Sequence, residues 1–459
     1  MKNPLLIPEI RELLAKKDIH ALREFCSDSH PGVIADFLSG LTMTEIRDIL
    51  LLVEPTVRVD IFSHLDSEIQ LAVIELMTQE EAAVMISKMA HDERVDLLKQ
   101  LPEERLENLL PAVAKAERED IRNLFSYPEG TAGSVMTSDY ATLSPEWTAQ
   151  EAINRLRLEA PDTETIYYTY VVDRDRRLIG FVSLKDLILA RPERLVKDIM
   201  YTDVIYARTD DDQEEAARKI QKYDLIALPV INGNDNLVGI ITHDDAMDII
   251  TQEHTEDLEK FMAIGGAHET GVYLRTSAWE HFRNRCGWVV VLALFGLISG
   301  WIVQSFEELL IQFTILATFM PMLADTGGNT GSQSATLVIR ALALKEITPG
   351  NVLGILFKEM KVSILLAILL ASLAFARVIF FTNSGGLPLG HSLVDVGTAI
   401  AAALGIQVIT ATLMGALLPL GADKAGFDPA VVASPALTTL VDITGLFIYF
   451  MTVKLMLGI

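Results

Sequence analysis

The chain has 459 residues, half of them hydrophobic, a formal net charge of −24 and two cysteines, Cys26 and Cys286. Residues 281–459 carry nine acidic and nine basic side chains, so the whole excess, 53 acidic against 29 basic, lies in positions 1–280. That charge excludes a nucleic-acid partner, which needs a basic face. Two cysteines exclude a disulfide framework and a thiolate zinc centre. No phosphate-binding loop or hydrolytic motif is present, so the chain does not read as an enzyme. It reads as an acidic, multi-domain soluble module followed by a membrane domain. The N-terminus, MKNPLLIPEI, lacks the long apolar run and cleavage site of a secretory signal.

Positions 1–128 read as an all-α domain, a small superhelix of short helices, with apolar residues at helical spacing in VIADFLSGL, VDIFSHL, AAVMISKM and RVDLLKQL. The loops between them are expected to carry Pro31, Pro55 and Pro102. Asp92 and Asp96 are four apart and share a helix face, an unfavourable pairing unless something compensates. A solvated face and a cation site both accommodate it.

Positions 129–250 hold an internal repeat. SVMT and then YVVDRDRRLIGFVSLKDLI in the first copy answer DIMY and then LPVINGNDNLVGIITHDDAM in the second. Gly180 and Gly239 are 59 apart, as are Asp186 and Asp245, and a Ser or Thr before each acidic start suits a helix N-cap. The repeat resembles the tandem CBS domain, an α+β unit. That resemblance implies an adenine nucleotide such as ATP in the central clefts, with Asp186 and Asp245 at the ribose position.

Carboxylates crowd the end of this unit, at 210–215, Asp224, 244–248 and on toward Glu259. Clusters this dense repel unless cations sit between them, and a hard cation such as Mg²⁺ takes oxygen ligands while keeping several waters. Cation binding would then compact the acidic domains and cation loss would part them; simple solubility is the alternative. A long connecting helix is expected within 251–279.

The membrane domain, 280–459, reads as five helices at 286–306, 311–340, 352–381, 389–420 and 430–457. The distribution of Lys and Arg puts the N-terminal module in the cytoplasm and the C-terminus outside. Within the second segment, Pro321–Ser334 reads PMLADTGGNTGSQS, too polar for a lipid-facing surface. It suggests one wall of an ion path; a Gly-rich turn packed between helices is the other reading. Asp442, with Thr438 and Gly445 on the same helical face, offers a carboxylate, a hydroxyl and a backbone carbonyl suited to hydrated Mg²⁺. Asp395, near the external end of its span, is expected to be a mouth or interface charge.

PMLADTGGNTGSQSATLVIRAL, DPAVVASPALTTLVDITGLFIYF, the CBS pair and the helical N domain together resemble the MgtE family of magnesium channels. The resemblance implies a homodimer in the bacterial inner membrane with its pore between the subunits. It further implies a plug formed by the connecting helix and closure when intracellular Mg²⁺ binds the cytoplasmic domains. By it, Asp442, Asn329, Gly445, Thr438 and Asp325 line the pore. Asp60, Asp92, Asp96, Asp212, Glu214, Asp224, Asp245, Asp248, Glu253, Glu256 and Asp257 form the cytoplasmic Mg²⁺ sensor. Coupled exchange with H⁺ or Na⁺, and a membrane-anchored sensor that moves nothing, are the competing functions.

Overall fold

The computed structural model describes residues 7–16, 18–113, 115–160, 163–266, 276–382, 388, 390–429 and 434–459. It divides into two compact units, Met1–Ile250 and Thr251–Ile459.

The first unit opens with ten short helices: α1 (Ile7–Lys16), α2 (Ile19–Ser27), α3 (Pro31–Leu38), α4 (Met43–Leu52), α5 (Pro55–Ser63), α6 (Ser67–Leu76), α7 (Gln79–Ile86), α8 (His91–Gln100), α9 (Glu103–Leu109) and α10 (Lys115–Phe125). Pro31 and Pro55 lie not in loops but at the first position of α3 and α5, where the missing N–H costs nothing. Capping boxes from Thr42 and Thr78, with Glu45 and Glu81 reaching back, start α4 and α7. Each helix packs on the one two places along, α4 on α6, α5 on α7, α6 on α8 and α7 on α9, which winds the set into a superhelix.

The repeat that follows builds two three-stranded sheets of the same topology. In the first, β1 (Tyr140–Leu143) runs parallel to β2 (Thr165–Val172), which pairs antiparallel with β3 (Leu178–Ser183). In the second, β4 (Ala207–Arg208) is parallel to β5 (Ala227–Ile231), which pairs antiparallel with β6 (Leu237–Thr242). Helices α11 (Ala149–Glu159), α12 (Leu184–Leu189) and α13 (Gln213–Tyr223) cover them, and α14 (His243–Phe261) follows β6. The two glycines are explained by the segments crossing beside them. A Cβ on Gly180 would lie 2.8 Å from the Tyr201 carbonyl oxygen, and one on Gly239 2.9 Å from that of Thr137. The helix expected within 251–279 in fact starts at His243 and stops at Phe261, where Ala263 takes a positive φ of 56°. Residues 267–275 lie outside the described set.

In the second unit α15 (Ala278–Ser305), α18 (Val352–Phe381), α19 (Leu393–Lys424) and Pro435–Leu457 of α20 (Ser434–Leu457) are long and apolar enough to cross a membrane. The expected 311–340 segment is broken. A short α16 (Glu307–Gln312) and a 3-10 turn over Thr314–Phe319 precede α17 (Met320–Ala343). The Gly-rich stretch is therefore neither turn nor loop: all of Pro321–Ser334 is helical. α17 has 24 residues but is not among the four apolar spans. α19 is the central helix, with α17, α18 and α20 packed on it. Asp395 lies at the start of α19, where it closes a capping box, its Oδ2 accepting from the Ser392 N–H at 2.8 Å and hydroxyl at 2.7 Å.

Candidate ion path and acidic sensor

α17 and α20 meet through small residues. A Cβ on Gly328 would lie 2.9 Å from the Thr438 methyl, and one on Gly327 the same distance from Val441. The Ser332 and Thr438 hydroxyls stand 3.5 Å apart. Gly445, also on α20, is buried in the single chain against the Gln407 side chain of α19. On the rim beside the α17–α20 seam stand the groups that bear charge. Asp442 is half-buried, and its Oδ1 is buried with no hydrogen-bond partner among the described residues. Asn329 donates from Nδ2 to Asp325 Oδ1 at 3.1 Å, one turn apart on α17. Asp325, Asn329, Gln333, Thr336 and Arg340 are all exposed in the single chain and recur every three or four residues, forming one polar stripe. Gln333 and Thr336 escape a reading that stops at the glycines; the helical period, once the stretch is known to be helix, finds them.

A carboxylate without a donor and a stripe of amide and carboxylate oxygens suit a hard cation that keeps its water shell. Hydrocarbon suits neither.

In the first unit, α8 brings its acidic face toward the start of α14. Burial, then the fields of Asp245, Glu93 and Glu164, raise the Asp92 carboxyl well above its usual range, and Asp92 Oδ1 has no hydrogen-bond partner among the described residues. Burial and Asp245 also raise Asp96 and Glu93, against the Lys99 charge in one case and a bond from the Ser63 hydroxyl in the other. Asp245 is raised by burial despite its bonds from Thr242, with Asp244 and Asp248 adding to it. Glu164 is pushed up to about 7 by burial and by Asp244, Asp245, Glu93 and Asp139. Glu93 and Glu164 extend the expected pairing. No spacing rule points to Glu164, which comes from the loop before β2. Among the described residues no three His, Cys, Asp or Glu side chains converge closely enough to hold a bare ion.

The remaining acidic residues are dispersed. Asp60 lies on α5. Asp212 caps α13 through the Glu214 N–H at 2.8 Å, Glu214 pairs with Arg218, and Asp224 ends the same helix in a left-handed conformation at φ 51°. Glu253, Glu256 and Asp257 lie on α14, where Lys260 bridges Glu256 and, at 3.2 Å, Asp428 of the α19–α20 loop. Asp186 and Asp245 occupy matching places, each accepting the hydroxyl of the N-cap Ser183 or Thr242. Beside Asp186 a cleft of about 820 Å³ is walled by Tyr167, Tyr168, Phe181, Tyr201 and Lys185. Phe181 and Tyr201 stack there at 5.3 Å.

Residues 320–452 match the divalent cation transporter family MgtE, 29–130 the MgtE intracellular N domain, and 132–193 and 196–252 CBS domains. The chain is 37% identical to the magnesium transporter MgtE of Thermus thermophilus over 98% of both sequences. The chain belongs to the MgtE family of magnesium transporters. Another MgtE relative, from Bacillus subtilis, is 36% identical over 91% of this chain and 87% of its own. Two solved structures cover the soluble half. One is the soluble part of a magnesium transporter, with TM-score 0.52 and 31% identity over 54% of this chain and 97% of that one. The other is the cytosolic domain of the Mg²⁺ channel MgtE in complex with ATP, with TM-score 0.50 and 35% identity over 52% of this chain and 98% of that one. The MgtE assignment makes the chain a membrane transporter of Mg²⁺ with intracellular N-terminal domains, and not an enzyme.

Proposed function

We propose that the chain is a homodimeric Mg²⁺ channel whose path runs between the subunits along the polar stripe of α17 and past Asp442, with α17 completing five spans. The buried, unpartnered Oδ1 of Asp442 carries this reading. A carboxylate in that state is stabilised by a cation, and a hydrated ion needs only one or two such ligands because its waters supply the rest. Asn329 and Asp325 offer further oxygens along the stripe. Thr438 acts at one remove, in the seam that holds α20 against α17, and Gly445 where α20 meets Gln407 of α19. The driving force is the Mg²⁺ gradient together with the membrane potential, about 2.3 kcal/mol per charge per 100 mV. The membrane is the bacterial inner membrane, with the C-terminus external.

Intracellular Mg²⁺ closes the channel in this reading by binding the acidic cytoplasmic surface. Asp92, Asp96, Asp245 and Asp248 form its centre, joined by Glu93 and Glu164. The raised carboxyls support this, since repulsion that the fold tolerates is relieved by a divalent cation. Asp60, Asp212, Glu214 and Asp224 add to the acidic field, and Glu253, Glu256 and Asp257 on α14 carry it to a plug. ATP occupies the cleft beside Asp186. Its adenine lies among the aromatic rings and Lys185 meets its phosphates, as the relative's ATP complex suggests.

Mg²⁺ current in excised patches, measured while Mg²⁺ on the cytoplasmic side is raised from micromolar to millimolar, tests both parts. Current that reverses at the Mg²⁺ equilibrium potential and shuts at high Mg²⁺ supports them. Current reversing elsewhere points to a coupled ion, and current indifferent to cytoplasmic Mg²⁺ removes the sensor.

A further inference from the structure

Along α19, every fourth position from Ala399 reads Ala399, Ala403, Gln407, Ala411, Gly415, and all five are buried. Gln407 is the one long, polar side chain on that face. It is 1% exposed. Burying an amide in an apolar interior is unfavourable unless it is hydrogen-bonded. Its Nε2 donates to the carbonyl oxygen of Leu323 on α17 at 2.9 Å. Its Oε1 is buried with no hydrogen-bond partner among the described residues.

Glycines on two different helices hold the amide. A Cβ on Gly327 of α17 would lie 2.4 Å from Nε2, and a Cβ on Gly445 of α20 would lie 2.3 Å from the same atom. Gly327 stands midway between Asp325 and Asn329, and Gly445 is one turn beyond Asp442. One side chain thus touches both helices of the ion path within a turn of their charged groups. A methionine would fill the space without leaving an unpartnered oxygen. What the amide adds is direction, because a hydrogen bond to a fixed carbonyl sets where α17 lies.

We propose that Gln407 is the positioning residue of the ion path: bonded to Leu323 and clamped between Gly327 and Gly445, it sets the gap between the polar stripe of α17 and Asp442, and through that gap the size of hydrated cation that passes. This rests on the reading of Asp442 and α17 as the path.

The test uses the full chain in proteoliposomes, with Mg²⁺ and Ca²⁺ fluxes measured separately. Gln407→Met removes the bond at nearly constant length, and Gln407→Asn keeps an amide about 1.5 Å too short to reach Leu323. Each is expected to lower the Mg²⁺-to-Ca²⁺ flux ratio by about tenfold, the scale of discrimination that fit can supply. A general loss of folded protein would lower both fluxes together. If either variant that assembles keeps the wild-type ratio, Gln407 is packing only and the proposal is overturned, whatever the total flux. Asp442→Ala, run alongside, separates the two levels. Lost Mg²⁺ flux there with unchanged ratios at 407 rejects only the positioning role; full Mg²⁺ flux there rejects the ion path and the positioning role together.

Discussion

A Cβ placed on Gly415 would lie 2.1 Å from the carbonyl oxygen of Gly331. The backbones of α19 and α17 touch at this point, and the contact is with rigid main chain, not with the end of a movable side chain. Gly415→Ala must therefore push the helices apart. We expect a stability loss of about 1–3 kcal/mol or more, as overpacking gives, together with loss of Mg²⁺ flux. Gly421→Ala, where a Cβ would meet open space, serves as the control. Thermal unfolding in detergent and flux in proteoliposomes check both.

Asp442→Asn keeps the shape and removes the charge. On the channel reading, Mg²⁺ flux at sub-saturating concentration falls by about a hundredfold or more, since one of very few ligands to the ion is lost. Retained flux would place the ion elsewhere.

Ser334 and Glu359 form a bond buried between α17 and α18, the Ser334 hydroxyl donating to Glu359 Oε2 at 2.8 Å. Ser334→Ala leaves that oxygen without its donor and should cost about 1–3 kcal/mol. Glu359→Gln keeps an acceptor for the hydroxyl and should cost less. The order of the two unfolding midpoints is the readout.

The acidic cluster around α8 and the start of α14 fixes a pH dependence. Unfolded carboxyls titrate near 4. Asp92, Glu93, Asp96 and Asp245 titrate higher in the folded chain, and Glu164 reaches about 7. The folded state therefore binds more protons between about pH 4 and 7, and stability falls as pH rises through that window. Asp120, half-buried but held below its usual range by His91, Ser138 and Arg94, acts with the opposite sign and only at lower pH. Mg²⁺ and protons relieve the same repulsion, so Mg²⁺ should raise the midpoint of the cytoplasmic transition more at pH 8 than at pH 5. Equal stabilisation at both pH values would detach Mg²⁺ from this cluster.

On the nucleotide reading, Lys185→Ala weakens ATP binding to the full chain by about tenfold, the loss of one charge-assisted contact. Calorimetry reads it, and unchanged affinity would take the nucleotide out of this cleft.

Much of this was legible because it was periodic. Gly180 and Gly239, and Asp186 and Asp245, could be matched by their offset alone, and the structure gives each pair the same surroundings. Asp442 stood out as a charge inside an apolar run. The Gly-rich stretch was harder. Glycine is a poor helix former in isolation, and only the packing of Gly327, Gly328 and Gly331 against α19 and α20 makes helix the better state. Glu164 was invisible for another reason: it reaches the acidic cluster from a loop, and loops have no period. Gln407 carries a signal of its own, a lone amide at the centre of a four-residue repeat of Ala and Gly.

The polar stripe on α17 has one more consequence. A bilayer offers no partner to Asp325, Asn329 and Gln333, and a chain alone in lipid would hold all three against hydrocarbon or drag water in beside them. On the homodimer reading proposed above, the single chain is therefore an unfinished membrane protein. A second copy covering that stripe would then complete its folding in lipid, and stability measured at increasing dilution in the bilayer would report assembly and not the strength of one chain's core.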